Sequence, residues 1–474
     1  MKPNNIFDFT AYKGNVALIS SNAELTYSEL DSLSLLLSLK IRMRSLVFLV
    51  CTNTIESIIS YIGIIRSGAV CILIKERNFD FLLETYKPEY IVAPSDILNI
   101  QGSVLYRMNS YTLYKSNYPI DYQVSDDLAI LLSTSGSTGS PKFVKVSYKN
   151  IVSNSVSISD YLNISSVDRA ITTMPMNYSY GLSIIHTHLM NGASIIVTDS
   201  SLMSREFLNL IKSKKATNFG GVPYTYQMLK KLRFERMVLP NLRYVTQAGG
   251  KLSEKLTLDF HGMCARKNID FFVMYGQTEA TARMAYLPAR ALPGKAGSIG
   301  FPILGGEFVL ESTAGKVIEE SETVGELIYY GENVSIGYSH SCNDLNNNNN
   351  NNSNSNNSNS NSSGCLYTGD LAKRDDDGYY YIVGRKNRFI KVFGNRVNLD
   401  EFEQIVNGYG IDCVCTGQED QVNIYVTDPA VDEVSLYDKL MLDTGLNKSI
   451  LNIMNIDKIP RNDSGKVLYN DIAD

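Results

Sequence analysis

The sequence predicts an α/β protein with two domains of unequal size, and three observations support this prediction. The chain has 474 residues, more than one average domain needs. Its first part repeats short apolar runs bounded by turn residues, which is typical of buried strands. Its last part, beyond about Arg385, mixes helical and strand patterns. We expect a large N-terminal domain of layered α/β subdomains with a small β-barrel-like unit, followed by a small α+β C-terminal domain.

Seven apolar runs in the first part are interpreted as buried strands. Between the first two runs, Ile55, Ile58, Ile59, Ile62 and Ile65 are spaced three or four residues apart, which places one apolar stripe on a helix. A strand, a helix and a second strand in that order predict parallel layering. The runs span residues 45–51, 69–74, 90–94, 128–134, 170–175, 193–198 and 242–249.

After about Gly297 the pattern changes to alternating and aromatic runs separated by glycine, at 306–312, 325–331 and 379–385. Such runs predict a small antiparallel unit. Nearly every residue from Asn343 to Gly364 is Asn or Ser. Because this tract cannot bury enough apolar surface to offset its chain entropy, we expect a disordered surface loop at 343–364.

Composition excludes several classes of partner. The net charge is -5, and the densest basic stretch, Arg385 to Arg396, is as a bare charge run more typical of a solvated face than of a nucleic-acid site. We therefore expect no nucleic acid partner. The most apolar segment, Ile58 to Ile74, is broken by Arg66, Ser67 and Gly68, so we interpret it as buried core and expect no membrane insertion.

The N-terminus lacks the charged and then apolar layout of a signal peptide. Seven cysteines, an odd number, show no paired framework, and Cys413 and Cys415 lack a second ligand pair for zinc. Reduced thiols in the cytoplasm fit these observations best.

A loop rich in small and hydroxyl residues follows the predicted strand at 128–134. Small residues allow backbone N–H groups to approach phosphate oxygens, hydroxyls add donors, and a lysine supplies charge. The loop is not a Walker motif, because Ser140 and Pro141 separate the last glycine from the lysine. Alone it would more often be a flexible turn. The candidate phosphate-binding residues are Thr134, Ser135, Gly136, Ser137, Thr138, Gly139 and Lys142.

The loop resembles the phosphate-loop signature of the adenylate-forming superfamily, which contains acyl-CoA synthetases, adenylation domains of nonribosomal peptide synthetases and firefly luciferase. Further motifs follow in the order of that family, and the resemblance covers nearly the whole chain. They are Y-G-Q-T-E at 275–279, G-E-L at 325–327, Y-T-G-D-L at 367–371, G-R at 384–385 with the loop to Arg396, and P-R-N-D-S-G-K at 460–466.

The resemblance implies an AMP-forming ligase with ATP and Mg²⁺ as cofactors. Such an enzyme converts a small carboxylic acid to an acyl-AMP, releases pyrophosphate, and passes the acyl group to the phosphopantetheine thiol of CoA or of an acyl carrier protein. It also implies an N-terminal AMP-binding domain at 1–386 and a mobile C-terminal lid domain at 387–474. Asn387 stands at the hinge between them, and Gly394 in the loop that borders the thiol tunnel.

By the same resemblance, Glu279 holds Mg²⁺, Thr278 contacts the α-phosphate and Lys466 bridges the carboxylate and the α-phosphate during adenylation. As isolated residues, Thr278 and Glu279 could equally be a helix cap and a first-turn acid. An isolated Lys466 would be solvated. The nucleoside-binding residues implied are Tyr275 and Gly276, Ala248, Gly249 and Gly250 beside adenine, and Asp370 and Arg385 at the ribose.

Two positions near the expected acyl pocket depart from the patterns of the family. Ser179 stands where amino-acid-activating members carry the Asp that binds the α-ammonium group, and a hydroxyl cannot pair such a charge. Tyr178 replaces a histidine of acyl-CoA synthetases, three residues before Gly181. We therefore predict an acid without an α-ammonium group. Nearby, His186 and His188 point to different sides of a helix and are interpreted as structural residues that could line the acyl pocket.

Three hypotheses for function remain open. The first is the two-step ligase that ends in a thioester. The second is an enzyme that stops at the acyl-AMP or gives the acyl group to an acceptor without a thiol. The third is a non-catalytic nucleotide-binding relative, which the presence of Glu279, Asp370 and Lys466 disfavours. Acid-dependent release of pyrophosphate separates the third hypothesis from the others.

Overall fold

The computed structural model shows two compact units. The first comprises residues 1–296, 302–307 and 329–366, and the second comprises 297–301, 308–328 and 367–474. Among the described residues, no helix is long and apolar enough to cross a membrane. The residues that the structure describes are 6–76, 79–96, 100–133, 142–346, 364–386, 388–392, 395–418, 421–444, 446–462 and 465–472.

The described α-helices are α1 (Tyr27–Ser38), α2 (Ile55–Arg66), α3 (Phe79–Tyr86), α4 (Tyr148–Leu162), α5 (Ser179–Met190), α6 (Arg205–Ser213), α7 (Pro223–Lys231), α8 (Glu254–Ala265), α9 (Leu399–Gly408) and α10 (Glu433–Thr444). Side chains fix where several of them begin. The Thr26 hydroxyl accepts from the Glu29 N–H while the Glu29 carboxylate accepts from the Thr26 N–H, a capping box at α1. Thr54 caps α2 through the Ser57 N–H.

The described strands are β1 (Val16–Ile19), β2 (Glu24–Thr26), β3 (Leu46–Val50), β4 (Val70–Ile74), β5 (Tyr90–Pro94), β6 (Gly102–Met108), β7 (Tyr111–Ser116), β8 (Leu128–Ser133), β9 (Phe143–Ser147), β10 (Arg169–Ile171), β11 (Ser194–Ile196), β12 (Asn218–Gly221), β13 (Tyr244–Gln247), β14 (Asp270–Tyr275), β15 (Ala285–Leu287), β16 (Phe301–Pro302), β17 (Gly306–Glu311), β18 (Gly325–Gly331), β19 (Tyr338–Ser339), β20 (Cys365–Arg374), β21 (Tyr380–Arg385), β22 (Phe389–Val392), β23 (Asn395–Asn398), β24 (Cys413–Gln418), β25 (Gln421–Val426) and β26 (Leu451–Asn455). All seven predicted strands are present, with ends shifted by a few residues.

An eight-stranded sheet of the first unit has the order β19-β9-β8-β4-β3-β5-β7-β6. Strands β3, β4, β5 and β8 pair in parallel, and α2 connects β3 to β4 as predicted. Val47 and Leu49 of β3 face one apolar cluster, and Phe48 faces another. Burial on both faces explains why these strands are continuous apolar runs. The antiparallel hairpin of β6 and β7 was not predicted.

A second sheet of the first unit carries most of the candidate site. Eight of its nine strands follow the order β15-β14-β13-β12-β10-β11-β1-β2. Strands β10, β12, β13 and β14 are parallel, so their carboxyl ends meet at one edge. The segments after β13 and β14 and the start of α5 are therefore expected to converge there, since ligands of open α/β sheets bind outside the carboxyl ends of the strands.

The second unit contains most of a four-stranded sheet, β17-β18-β20-β21, and an α+β segment. In that segment β24, β25 and β26 form a sheet, and α9 and α10 pack on its apolar cluster. The mixed α/β fold class is confirmed. The predicted domain boundary at residue 386 concerns which part of the chain rotates as a lid. The division into compact units does not test such a rotation, so the boundary stays a prediction.

The predicted disordered loop at 343–364 is wrong at its first residues. Ser341 caps a 3-10 helix at Cys342–Leu345, and its hydroxyl accepts from the Asn343 N–H. Leu345 is fully buried, and its carbonyl accepts from the Ser125 N–H. One leucine among asparagines therefore holds the start of the tract on the first unit. Residues 347–363 lie outside the described residues.

Candidate active site

The start of α5 lies beside the predicted α-phosphate residue. Ser179, the first residue of α5, is buried, and its Oγ is 3.2 Å from the Oγ1 of Thr278. Thr278 begins a 3-10 helix, Thr278–Ala280, that follows β14. The structure thus places the predicted acyl-pocket serine and the predicted phosphate-contacting threonine next to each other.

Glu279 is held by a tyrosine that no motif indicated. The hydroxyl of Tyr338 donates to the Glu279 Oε1 at 3.0 Å, and the Ser335 N–H donates to the Glu279 backbone carbonyl. Burial, together with the neighbouring Glu279 carboxylate, raises the pKa of Tyr338 well above its usual value. The phenol therefore stays protonated and donates to the Glu279 carboxylate.

The same tyrosine reaches the end of the predicted phosphate loop. The Lys142 ammonium lies 3.8 Å from the centroid of the Tyr338 ring, a cation–π contact. Strand β19 pairs antiparallel with β9, and this pairing places Tyr338 opposite Val144 and close to Lys142. Tyr338 therefore links Lys142 to Glu279, two candidates that lie far apart in the sequence.

Several predicted residues lie outside the described part of the chain. Of the phosphate loop, only Lys142 is described; Thr134, Ser135, Gly136, Ser137, Thr138 and Gly139 are not. The loop connects β8 to β9, an antiparallel pair in which Ser133 stands opposite Phe143. Asn387 and Gly394, the predicted hinge and tunnel residues, also lie outside the described residues.

The predicted adenine segment, Ala248 to Gly250, follows β13 directly. The Ala248 N–H donates to the Gly221 carbonyl, which continues the pairing of β12 and β13. Gly249 has φ +80°, and a Cβ there would stand 2.5 Å from the Tyr178 hydroxyl oxygen. Both the backbone conformation and the close approach of Tyr178 therefore require glycine at 249. Tyr178 thus lies against the adenine segment.

Tyr275 ends β14, and Gly276 begins the turn to Thr278. Tyr275 is partly exposed, which is unlike the core packing expected of an isolated tyrosine. A Cβ at Gly276 would stand 1.9 Å from the Ala282 carbonyl oxygen, so no side chain fits there. After this turn, β15 runs back antiparallel to β14, with Ala285 opposite Tyr275.

The acyl-pocket candidates form the first turn of α5. A Cβ at Gly181 would stand 2.4 Å from the Pro175 carbonyl oxygen, so the helix packs closely on the segment before it. Behind this turn lies a buried cluster that is apolar and aromatic. It contains Met174, Tyr180, Val222, Ala248 and Met274, with Tyr161, Tyr178, Ile184, Phe272 and Tyr286 packed against it.

His186 and His188 lie on different sides of α5, as their spacing predicted. His186 Nε2 is 2.7 Å from the Tyr61 hydroxyl oxygen, and His188 Nε2 is 3.0 Å from the Asn218 amide nitrogen. Burial lowers the pKa of His186 to about 3 and that of His188 to about 4, so both rings are neutral at pH 7. Both are bonded within the core and do not reach the residues around Thr278.

In the second unit the two ribose candidates are cross-strand neighbours. Asp370 of β20 stands opposite Arg385 of β21, and the Arg385 Nε is 3.2 Å from the Asp370 Oδ1. Asp370 is buried, whereas the Arg385 side chain is 60% exposed. The carboxylate is thus fixed by the sheet while its partner faces solvent.

Carboxylates pair with part of the basic stretch after residue 384. Lys386 pairs with Glu326 at 2.7 Å, and Arg388 pairs with Asp400 at 2.7 Å and with Glu403 at 2.5 Å. The interpretation of these charges as solvated is therefore wrong for Arg388, whose side chain is 13% exposed. The Lys386 side chain is 58% exposed and remains in solvent beside Glu326.

Lys466 lies on a tight turn of the second unit. Arg461 and Val467 form an isolated antiparallel bridge, and the Asn462 N–H donates to the Lys466 carbonyl at 2.8 Å. The Lys466 N–H in turn donates to the Asn462 Oδ1 at 2.9 Å. The asparagine of the motif therefore fixes the backbone that carries the lysine.

Comparison with known proteins adds family evidence to this geometry. The family model described as AMP-binding enzyme matches residues 8–339. Bacitracin synthase 3 of Bacillus licheniformis is 26% identical over 424 residues, which are 86% of this chain and 6% of that protein. The 2-succinylbenzoate-CoA ligase of Bacillus velezensis is 28% identical over 286 residues, which are 60% of this chain and 54% of that protein. The chain thus spans about half or less of these relatives.

The fold has close counterparts among solved structures. The o-succinylbenzoate CoA synthetase of Bacillus subtilis, in complex with its acyl-adenylate intermediate, superposes with a TM-score of 0.81 at 22% identity. The superposition covers 100% of this chain and 98% of that chain. At this identity the match shows the architecture. Because the family model covers well over half of the sequence, the protein belongs to the AMP-binding enzyme family.

Proposed function

We propose that this protein is an AMP-forming ligase that activates a carboxylic acid with ATP and passes the acyl group to a phosphopantetheine thiol. The observation that carries the proposal is the arrangement of Lys142, Tyr338 and Glu279, in which one phenol joins a cation to a carboxylate at the end of the phosphate loop. A triphosphate with its divalent ion requires such a pair of opposite charges.

The reaction explains why these charges are needed. A carboxylate oxygen of the acid attacks the α-phosphorus of ATP, the bond to the β-phosphate oxygen breaks, and pyrophosphate leaves. A thiolate then attacks the acyl carbon, and AMP leaves. Both attackers are anions, the first approaching the triphosphate of ATP and the second the charged phosphate of the acyl-AMP, so positioned cations and N–H donors lower both barriers.

Glu279 fits a magnesium site. Mg²⁺ prefers oxygen ligands and is usually held by one or two carboxylates and the phosphates of its substrate. The Glu279 carboxylate accepts from Tyr338 through one oxygen, and carboxylate oxygens suit a hard cation. When bound, the ion would neutralise charge on the leaving pyrophosphate. Among the described residues no group of three or more His, Cys, Asp or Glu side chains could form a metal cage.

The remaining candidates keep the roles that the resemblance implies. We assign Tyr275, Gly276 and Ala248 to Gly250 to adenine, and Asp370 with Arg385 to the ribose hydroxyls. Buried Asp370 is suited to this role because the sheet fixes its carboxylate. Thr278 would contact the α-phosphate, and Lys466 would stabilise the charge that develops there during adenylation.

The acceptor is proposed to be CoA or the phosphopantetheine of a carrier protein in the cytoplasm. A relative named as a 2-succinylbenzoate-CoA ligase and one named as bacitracin synthase 3 both match the chain. In this proposal the C-terminal lid, residues 387–474, turns about Asn387 to exchange Lys466 for the loop with Gly394. An acceptor without a thiol remains the alternative, and supplying CoA to a preformed acyl-AMP separates the two.

The substrate is proposed to lack an α-ammonium group. Ser179 is buried and bonded to Thr278, so it offers a hydroxyl where an ammonium would need a carboxylate. Tyr178 and Tyr180 add aromatic surface to the same turn. An aliphatic, hydroxy or aryl acid suits this surface better than a zwitterion.

ATP–pyrophosphate exchange over a panel of carboxylic acids tests the proposal. We expect acid-dependent exchange that Glu279→Gln lowers by about 100-fold, since one charge-stabilising group is removed. Tyr338→Phe is the matched variant, because it keeps the ring under Lys142 and removes only the hydroxyl, and we expect a loss of about 10-fold. Exchange driven best by free amino acids would contradict the substrate assignment. No exchange with any acid would contradict the function.

A further inference from the structure

Arg283 is a buried charge that has no carboxylate partner among the residues that the structure describes. It lies between the 3-10 helix Thr278–Ala280 and β15, and its relative exposure is 2%. Its Nη1 donates to the Ser183 hydroxyl, whereas its buried Nε has no hydrogen-bond partner. Within the described ranges no Asp or Glu forms an ion pair with it. The guanidinium is therefore only partly satisfied by the chain.

The surroundings of Arg283 are phenolic. Its Cζ lies 4.1 Å from the centroid of the Tyr180 ring. The hydroxyl of Tyr244, which is also buried, has no hydrogen-bond partner among the described residues. Burial raises the pKa of Tyr178 to about 12, with Tyr180 adding to the rise and the charge of Arg283 opposing it. The field of the guanidinium therefore reaches the tyrosine that borders the adenine segment.

Such an arrangement is costly unless something completes it. A buried cation loses its hydration. A cation–π contact with one ring and a hydrogen bond to one hydroxyl replace only part of that loss. Arg243 shows the alternative within the same unit, because two nitrogens of that guanidinium bond to buried Asp168 at 3.1 and 2.8 Å. The chain can thus supply a carboxylate to an arginine, and none of the described carboxylates does so for Arg283.

The backbone at Arg283 is fixed rather than loose. Its carbonyl accepts from the amide of Asn154 at 2.8 Å and from the amide of Asn333 at 3.0 Å. Both asparagines are buried. The guanidinium is therefore presented from a rigid segment, as a recognition group must be if it is to select among ligands.

Helix α5 contacts both Arg283 and Thr278, the predicted α-phosphate residue. Ser179 contacts Thr278, and Ser183 contacts Arg283. These serines are four residues apart, so they share one face of the helix and are separated by one turn, about 6 Å along its axis. A small acid with one end at Thr278 can therefore present its other end to Arg283.

We propose that Arg283 binds a second carboxylate of the substrate, so that the acid activated here is a dicarboxylic acid. The distal carboxylate would accept from the Nε and stand beside the Tyr180 ring. This inference rests on the proposed function, because it places the reacting carboxylate of the same molecule beside Thr278. An acid with about four or five carbon–carbon bonds between its carboxyl carbons, such as glutarate or adipate, matches one helical turn.

The test compares each dicarboxylate with its monomethyl ester, which keeps the length and removes the distal charge. In ATP–pyrophosphate exchange we expect the wild-type protein to prefer the free diacid, and Arg283→Met to lower that preference by about 10- to 100-fold. Arg283→Lys should retain part of it, because the charge remains. Arg243→Met is the control, since it removes an arginine whose charge is already paired, and the preference should not change.

Thermal stabilisation by glutarate or adipate without ATP gives a second readout that needs no catalysis. We expect these diacids, and not their monomethyl esters, to raise the melting temperature of the wild-type protein, with a smaller rise in Arg283→Met. If Arg283→Met does not fold, the same comparison is made with Arg283→Lys and with Ser183→Ala, which removes the hydroxyl that holds the guanidinium.

The outcomes separate the two proposals. If the monomethyl esters support exchange at rates equal to or above those of the diacids, the inference is overturned and the ligase function is left intact. If no acid supports exchange, the proposed ligase function is contradicted. The thermal comparison then decides whether Arg283 binds an anion. Stabilisation by diacids that is lost in Arg283→Met would support an anion subsite, and its absence would overturn it.

Discussion

The network around Asp168 and the turn that carries Lys466 hold charge in opposite ways. Asp168 is 1% exposed and accepts from Arg243 at 2.8 Å, from the Thr217 hydroxyl at 2.9 Å and from the Ser165 N–H at 3.0 Å. Lys466 is partly exposed on a turn in which hydrogen bonds hold the backbone. The Asp168 charge is fixed by burial, so it should serve the fold. The Lys466 charge is positioned by a turn, so it should serve the reaction.

The largest expected effect is the loss of activity when Lys466 is removed from its turn. Lys466→Ala should lower ATP–pyrophosphate exchange by about 100- to 1000-fold, because it removes a cation from the site where charge develops. The melting temperature should stay the same, since the substitution removes no buried group. Lys458→Ala, at an exposed lysine of the same segment, is the control and should leave both unchanged.

A second half-reaction sharpens this test. Thioester formation from supplied acyl-AMP should be spared in Lys466→Ala, because the α-phosphate bond is already made. If the variant instead lost stability while its exchange rate per folded molecule stayed normal, the turn would belong to the fold in the same sense as the Asp168 network.

The next largest effect is on stability, and it is expected in the Asp168 network. Asp168→Asn should lower the free energy of unfolding, by at most about 3–5 kcal/mol, because it leaves Arg243 without its carboxylate. The Arg243 side chain is 40% exposed, so water takes up part of that loss. Exchange activity per folded molecule should not change. Asp160→Asn, at an exposed acid on α4, is the control for chemical denaturation.

The effect of Asp168→Asn should depend on pH. Burial favours a higher pKa for Asp168, but hydrogen bonds from Arg243 and the Ser165 N–H outweigh it, so its folded pKa lies below the ordinary value of 3.8. Its stabilising contribution is therefore complete above about pH 4 and is lost as the pH falls through the folded pKa. The stability difference between wild type and variant should narrow between pH 7 and pH 3. A constant difference would show that Asp168 acts by packing alone.

Local patterns explain which features could be predicted. The apolar runs of β3 and β4 and the isoleucine stripe of α2 are signals within a few residues, and the structure has all three. The motif residues Thr278, Glu279, Asp370 and Lys466 are also local, and their order in the chain indicated the family. These signals need no knowledge of which strands pair.

Features that depend on distant pairing could not be predicted. Tyr338 reaches Glu279 only because β19 pairs with β9, and no motif surrounds it. Arg243 and Asp168 are 75 residues apart, and Arg283 meets Ser183 across 100 residues. An arginine four residues after Glu279 was visible in the sequence, but its burial without a carboxylate was not.

The smallest expected effect is at the Asn/Ser tract, and it separates residues that pack from residues that only connect. Replacing 347–363 with a short Gly-Ser linker should leave the melting temperature and the exchange rate nearly unchanged, because the cost of closing a loop varies slowly with its length. The replacement keeps Leu345 and the hydrogen bond from the Gly331 N–H to the Gly364 carbonyl.

Replacing 343–364 with the same linker is the matched variant, because it also removes Leu345. That leucine is fully buried, and the neighbouring Asp344 carbonyl accepts from the Lys145 ammonium at 3.0 Å. Removing a buried leucine costs about 2–5 kcal/mol, so this variant should melt several degrees lower than the first. Equal melting temperatures would show that Leu345 does not hold the start of the tract. Loss of exchange in the first variant would show that residues 347–363 themselves contribute to the site, and the tract would then join the Lys466 turn as part of what the reaction depends on.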